Sequence, residues 1–186
     1  YSPDGKRLAY NQKSQVYWRK YYRGSYQSDI MIMDVAAKKF TQVTDFDGLD
    51  SWPMWGHDGF IYFVSDRDGN GLTNIWRVSD NGGKADRVTT FKAGDVRWPA
   101  ISADGRTIVF TDNDCTIAFI DAAGGEAWRV EPESAAVPTV CEGGAKFAPD
   151  GRSIVYERCE GTACRIWMMD VEGGDRRPLM WACAPD

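Results

Sequence analysis

The chain has 186 residues, 43% of them apolar and 26% charged, with a formal net charge of −5. That is enough apolar material for a buried core, and the acidic balance argues against nucleic acid, whose binding needs a basic footprint. No apolar run approaches the roughly 18 residues of a membrane span.

The first segment, Tyr1-Ser-Pro-Asp-Gly-Lys-Arg-Leu-Ala-Tyr10, reads as a tight turn followed by a short strand. Pro before Asp presets φ for a type I turn, and Gly after it accepts the left-handed conformation that closes a hairpin. The same pattern returns as Trp55-Gly-His-Asp-Gly-Phe-Ile-Tyr-Phe63, Ile101-Ser-Ala-Asp-Gly-Arg-Thr-Ile-Val-Phe110 and Phe147-Ala-Pro-Asp-Gly-Arg-Ser-Ile-Val-Tyr156. The strands that follow these turns lack polar alternation, so they are expected to be covered on both faces.

A second block follows each turn: Ile30-Met-Ile-Met-Asp34, Ile75-Trp-Arg-Val-Ser79, Ile117-Ala-Phe-Ile-Asp121 and Ile166-Trp-Met-Met-Asp170. Small-residue turns come next, three of them with paired glycines, and then Val43, Val88, Val130 and Leu179. The turn aspartates, Asp4, Asp58, Asp104 and Asp150, are spaced 54, 46 and 46 residues apart. A period in the forties, four strands per unit and no helical periodicity predict an all-β fold, a segment of a β-propeller.

The segment holds about four four-stranded antiparallel blades, with repeat units at about 1–54, 55–100, 101–146 and 147–183. Residues 181–186 are expected to start a further blade. Because Pro-Asp recurs at both ends of the chain, the segment is read as cut from a larger propeller of six to eight blades. The first blade then lacks its innermost strand.

Candidate sites are few. His57 is the only histidine and fills a turn slot that Pro or Ala holds in the sister repeats. No Gly-x-Ser-x-Gly elbow is present, so no catalytic residue is expected here. The turn carboxylates recur at one repeat position and are read as turn builders, not paired acids. Asp66, Asp68 and Asn70 copy the opening of a calcium loop, but Arg77 stands where its closing acid belongs. A polar hairpin is the expected reading; neither a metal nor a cofactor is expected.

Of the five cysteines, Cys159 and Cys164 bracket a hairpin tip, where a cross-strand disulfide fits. A bridge there points to a periplasmic or other extracytoplasmic location; a cytoplasmic one is the alternative. The first unit is 8 residues longer than its neighbours, and the extra length lies in the basic, aromatic stretch from Asn11 to Ser28. Trp18, Arg19, Tyr21, Tyr22 and Arg23 are its candidates for contact with a peptide or another domain, since loops on a rigid scaffold commonly carry function.

The run Tyr21-Tyr-Arg-Gly-Ser-Tyr-Gln-Ser-Asp-Ile30, with Ser51-Trp-Pro-Met-Trp55, Ile61-Tyr-Phe-Val-Ser-Asp-Arg-Asp-Gly69 and Gly94-Asp-Val-Arg-Trp-Pro99, resembles the amino-terminal propeller of tricorn-type proteases. The resemblance covers about residues 1–110, and the remainder is similar to the general WD40-like PD40 repeat that TolB shares. It implies a non-catalytic propeller that scaffolds and filters peptides toward the protease core of a serine endopeptidase. The implied partners are peptide substrates and the protease and PDZ-like domains of the parent chain; a homo-oligomer stays open. The alternatives are a TolB-like interaction propeller without enzymatic activity, or the propeller cap of a prolyl-oligopeptidase-like hydrolase.

Overall fold

Ser2 shows how each repeat begins. Its hydroxyl donates to Asp4 Oδ1 (2.6 Å) and accepts from the Arg7 N–H (2.9 Å), while Gly5 closes the turn at φ +70°. Ser102, Asp104 and Thr107 repeat the network at 2.6 and 3.0 Å. In the fourth copy Asp150 accepts from the Arg152 and Ser153 N–H groups and the Ser153 hydroxyl. These hydrogen bonds favour the ionised carboxylates. Asp4 and Asp104 are held below the usual range chiefly by the serine hydroxyls, and Asp150 chiefly by backbone N–H groups. His57 lies exposed in the second such turn.

The structure is a computed structural model that describes residues 1–13, 19–130 and 140–181. Its strands form four antiparallel sheets, each a meander in chain order. The first has three strands, β1 (Arg7–Gln12), β2 (Asp29–Asp34) and β3 (Phe40–Gln42). The second has β4 (Asp50–Trp55), β5 (Phe60–Ser65), β6 (Asn74–Ser79) and β7 (Asp86–Arg87). The third has β8 (Arg97–Ile101), β9 (Thr107–Thr111), β10 (Ile117–Asp121) and β11 (Trp128–Arg129). The fourth has β12 (Val140–Phe147), β13 (Ser153–Glu160), β14 (Ala163–Asp170) and β15 (Arg177–Trp181). The fold is all-β, a propeller segment of four blades. Among the described residues no helix is long and apolar enough to cross a membrane, which leaves β-barrels unaddressed.

Trp181, expected to open a fifth blade, ends β15 in the fourth sheet, paired with Arg165. The reason is that β15 completes the four-strand meander; residues 182–186 lie outside the described ones. The recurrent valines close the first three repeats: the N–H groups of Val43, Val88 and Val130 donate to the carbonyls of Ile30, Ile75 and Ile117. Thr44 and Thr89 reinforce this, since their hydroxyls accept from the Ile30 and Ile75 N–H groups at 3.0 and 2.8 Å.

The chain divides into two units, residues 1–95 and 96–186. In the first, Ile30 and Ile32 of the first sheet pack against Trp55, Ile61, Phe63 and Val78 of the second. In the other, Val109, Ile117 and Phe119 of the third sheet pack against Ala145, Ile154, Tyr156 and Met169 of the fourth. Consecutive β5 residues Ile61 to Val64, and β10 residues Ile117 to Ile120, are all buried, so these strands are covered on both faces. Burial alternates in β13, where Ile154 and Tyr156 are buried and Val155 is half-exposed. Two-sided burial therefore holds for the second and third sheets and not for the fourth.

Each innermost strand carries an irregularity that pattern reading missed. Register shifts between Ser51 and Met54, Arg97 and Ala100, and Gly143 and Lys146. Trp52, Trp98 and Gly144 hold φ of +51°, +47° and +63° there. A bulky residue with positive φ is unusual, and a bulge explains it. The signal was the Trp-Pro pair at 52–53 and 98–99.

Phe119 is fully buried, stacks on Trp128 at 5.5 Å and meets Phe147 edge-on. Phe119→Ala is expected to cost about 3–5 kcal/mol in urea unfolding. A loss below about 1 kcal/mol would contradict this packing.

Candidate functional site: the first loop and its anchor on the second blade

The loop between β1 and β2 is described from Arg19 onward; Trp18 lies outside the described residues. Its anchor is the Ser65-Asp-Arg-Asp-Gly69 segment at the end of β5. Asp66, fully buried, accepts from the Leu49 N–H (2.9 Å) with one oxygen and from the Tyr21 N–H (2.8 Å) with the other. Arg67 donates to Asp50 at 2.6 Å and lies over the rings of Phe46, Phe63 and Trp76 at 4.9, 5.2 and 5.3 Å. Asp68 accepts from Arg87 (2.6 Å) and Asn74 (3.0 Å), and Asn70 from the Leu72 N–H (3.0 Å). The oxygens that resembled a calcium loop are thus engaged by donors of the chain itself.

Two further contacts fasten the loop. Lys20 Nζ lies 2.7 Å from Asp95, whose same oxygen accepts from the Thr73 N–H and hydroxyl at 2.9 and 3.0 Å. Burial works to raise the Asp95 pKa, but Lys20 and the Thr73 hydrogen bonds outweigh it and hold the carboxyl below its ordinary value. The Tyr21 hydroxyl accepts from the Gly71 N–H. Gln27 reaches the Phe46 carbonyl at the loop's far end.

Of the remaining candidates Arg19 and Arg23 are exposed and Tyr22 is half-buried. Arg19 sits 4.1 Å over the Tyr22 ring, a cation–π pair. Arg23 is 73% exposed and lies 3.5 Å from Asp47. Tyr26, which the sequence reading did not choose, is 64% exposed. The structure thus brings Arg19, Tyr21, Tyr22 and Arg23 onto one strapped loop: Lys20 and Tyr21 anchor it, Arg19 and Arg23 present charge, and Tyr22 lies half-buried under Arg19.

Below the loop lies a group of carboxylates. Asp50 has no exposed surface, and burial raises its pKa against the pull of Arg67. Asp29 is pushed up to about 6, first by burial and then by the nearby charges of Asp50 and Asp45. Asn11 bridges the region, donating to the Ser28 hydroxyl and the Asp50 carbonyl and accepting from the Trp52 N–H.

Outside the loop, Cys159 and Cys164 form a disulfide across β13 and β14. A second disulfide, which the sequence reading missed, joins Cys115 in the β9–β10 turn to Cys141 in β12. Its partners stand 26 residues apart, and no local pattern connects them.

Two outcomes check this anchor. Arg67→Ala is expected to cost about 3–5 kcal/mol because Asp50 is left buried and unpaired, and adding Asp50→Asn recovers part of the loss in urea unfolding. Equal stability of the single and double variants would contradict the pairing. Asp29 binds its proton more tightly folded than unfolded, so its contribution is full below pH 3.8 and is lost as pH rises toward about 6. Asp29→Asn is expected to flatten the stability profile across that window, and an unchanged profile would contradict the assignment.

The family of the tricorn protease N-terminal beta propeller domain matches residues 1–126. No curated protein matches the sequence. Among solved structures, TolB from Acinetobacter baumannii is 24% identical over 97% of this chain and 42% of its own, with a TM-score of 0.73. A TolB from Agrobacterium tumefaciens is 19% identical over 97% of this chain and 64% of its own, with a TM-score of 0.75. The tricorn protease is 19% identical over 92% of this chain and 16% of its own, with a TM-score of 0.58. The chain therefore spans less than two thirds of each of these proteins, and the three likenesses concern the backbone fold. On the family match, which covers more than half its length, the chain belongs to the tricorn protease N-terminal β-propeller domain family.

Proposed function

We propose that the chain is the non-catalytic propeller of a tricorn-like serine peptidase, which docks to the protease and PDZ-like domains and filters unfolded peptides toward them. The observation that carries this reading is the family match over residues 1–126. The anchored loop supports a contact role: it is held to the second blade by Asp66 and Asp95, while Arg19 and Arg23 stay exposed, Arg19 over the half-buried Tyr22 ring. A loop prefixed in this way loses little entropy when a peptide or a neighbouring domain meets it. Guanidinium groups and aromatic rings suit carboxylates, backbone carbonyls and apolar side chains, the mixed surface of an unfolded chain. Two disulfides support an extracytoplasmic location.

A second reading, an interaction propeller without a peptidase, is favoured by the higher TM-scores to the TolB structures, 0.73 and 0.75 against 0.58. The full-length protein separates the two. Labelling by a serine-reactive fluorophosphonate is expected under the peptidase reading, and its absence would favour the second. In unlabelled samples of a protein that reacts with the probe, Arg19→Ala/Tyr22→Ala/Arg23→Ala is expected to lower kcat/KM for long unfolded peptides and to spare a chromogenic tripeptide. Unchanged turnover of both, with assembly intact, would remove the loop from the mechanism.

A further inference from the structure

Three of the four disulfide-bonded cysteines of the second unit are register neighbours across the fourth sheet. In β12 and β13, Cys141 is the register partner of Cys159; in β13 and β14, Cys159 is the partner of Cys164. Directly opposed residues of antiparallel strands share a face, with Cβ atoms about 4.5–5.5 Å apart. Cys141, Cys159 and Cys164 therefore form one lateral row on a single face of the fourth sheet, and Cys115 is bonded to its first member. All four residues are half-buried, so a small thiol reaches them.

We propose that this row is a thiol–disulfide exchange site, taking a dithiol reductant at Cys159–Cys164 and passing the opening sideways to Cys115–Cys141. The reductant enters at the hairpin tip, where Glu160, Gly161, Thr162 and Ala163 are exposed. Its thiolate attacks Cys164 Sγ, a mixed disulfide forms, and Cys159 leaves as a thiolate. Cys159 then attacks Cys141 Sγ, forming Cys141–Cys159 and expelling the Cys115 thiolate, which takes a proton from water. The second thiol of the reductant resolves the mixed disulfide and frees Cys164. Overall, two protein disulfides and one dithiol become one protein disulfide, two protein thiols and one oxidised reductant, a two-electron balance.

Two features give the transfer a direction and a consequence. The Glu157 carboxylate lies with the Cys159 and Cys164 sulfurs inside 4.8 Å. A carboxylate this close disfavours a thiolate at either sulfur and favours moving that charge on to Cys115. The Cys115–Cys141 bond clasps the β9–β10 turn of the third sheet to the innermost strand of the fourth. After exchange, the hydrogen bond from the Glu142 N–H to the Cys115 carbonyl (3.0 Å) remains between them. The covalent clasp becomes a breakable one, set by the thiol poise of the compartment. This inference is independent of the peptidase reading.

The test uses the full-length protein carrying Cys183→Ser. One equivalent of dithiothreitol is added, the reaction is quenched with acid, free thiols are alkylated, and linked peptides are mapped by mass spectrometry. The expected product has Cys141 linked to Cys159, with the label on Cys115 and Cys164. Label on Cys159 and Cys164 with Cys115–Cys141 intact would overturn the proposal, as would label on Cys115 and Cys141 with Cys159–Cys164 intact. A second arm needs no reductant: in Cys164→Ser, Cys159 is expected to displace Cys115 unaided, leaving Cys115 as the labelled thiol. A labelled Cys159 beside an intact Cys115–Cys141 bond would refute the exchange in that variant too.

Discussion

A strand that is apolar on both sides must be covered on both sides, and this constraint shapes the chain. Ile61, Tyr62, Phe63 and Val64 are consecutive and all lose their solvent, as do the four residues Ile117 to Ile120. Each of the Ile, Val and Phe side chains among them is worth about 1.5–3 kcal/mol when removed from water. An isolated sheet could collect that for alternate residues alone. Within each unit, packing one sheet on another covers the alternate residues Ile61 and Phe63, and Ile117 and Phe119. The first sheet, half-exposed along β1, and the fourth, alternating along β13, show what a strand looks like when one side is less covered.

Polar groups then have to be placed where stacking leaves them buried. Asp50 and Asp66 have no exposed surface; Asp50 meets Arg67 through one oxygen, and Asp66 accepts backbone N–H groups with both. Arg67 pairs with Asp50 while its flat guanidinium lies among three aromatic rings, which a lysine could not imitate. Asp66 uses both oxygens to hold backbone N–H groups from two different connections. The Ser-Asp-Arg-Asp-Gly segment therefore acts as a fastener, and the first loop owes its position to it. The same chemistry that resembles an ion site serves here to join a loop to a blade.

Much of this was legible in the order of residues. The Asp-Gly turns, the Ile-rich third strands and the recurrent valines are local and repeated, so four copies identify them together. The three-stranded first sheet followed from a repeat that begins at its turn. What stayed hidden depends on partners far along the chain. Asp68 meets Arg87, Lys20 meets Asp95, and Cys115 meets Cys141; none of these pairs carries a spacing signature. Trp52 and Trp98 take left-handed backbone angles because a bulge requires it, against their own steric preference. The loop stands out by its length and composition, but its anchoring residues are set by Asp66 and Asp95, far along the chain.

Amide hydrogen exchange on the full-length protein tests the stacking of two-faced sheets most directly. Amides of Ile61 to Val64 and Ile117 to Ile120 should exchange last, through global unfolding alone, with β1 and the outer half of β13 clearly faster. Equal, rapid exchange across all four sheets would show that the central strands are not covered on both faces, and the account of the fold would fail.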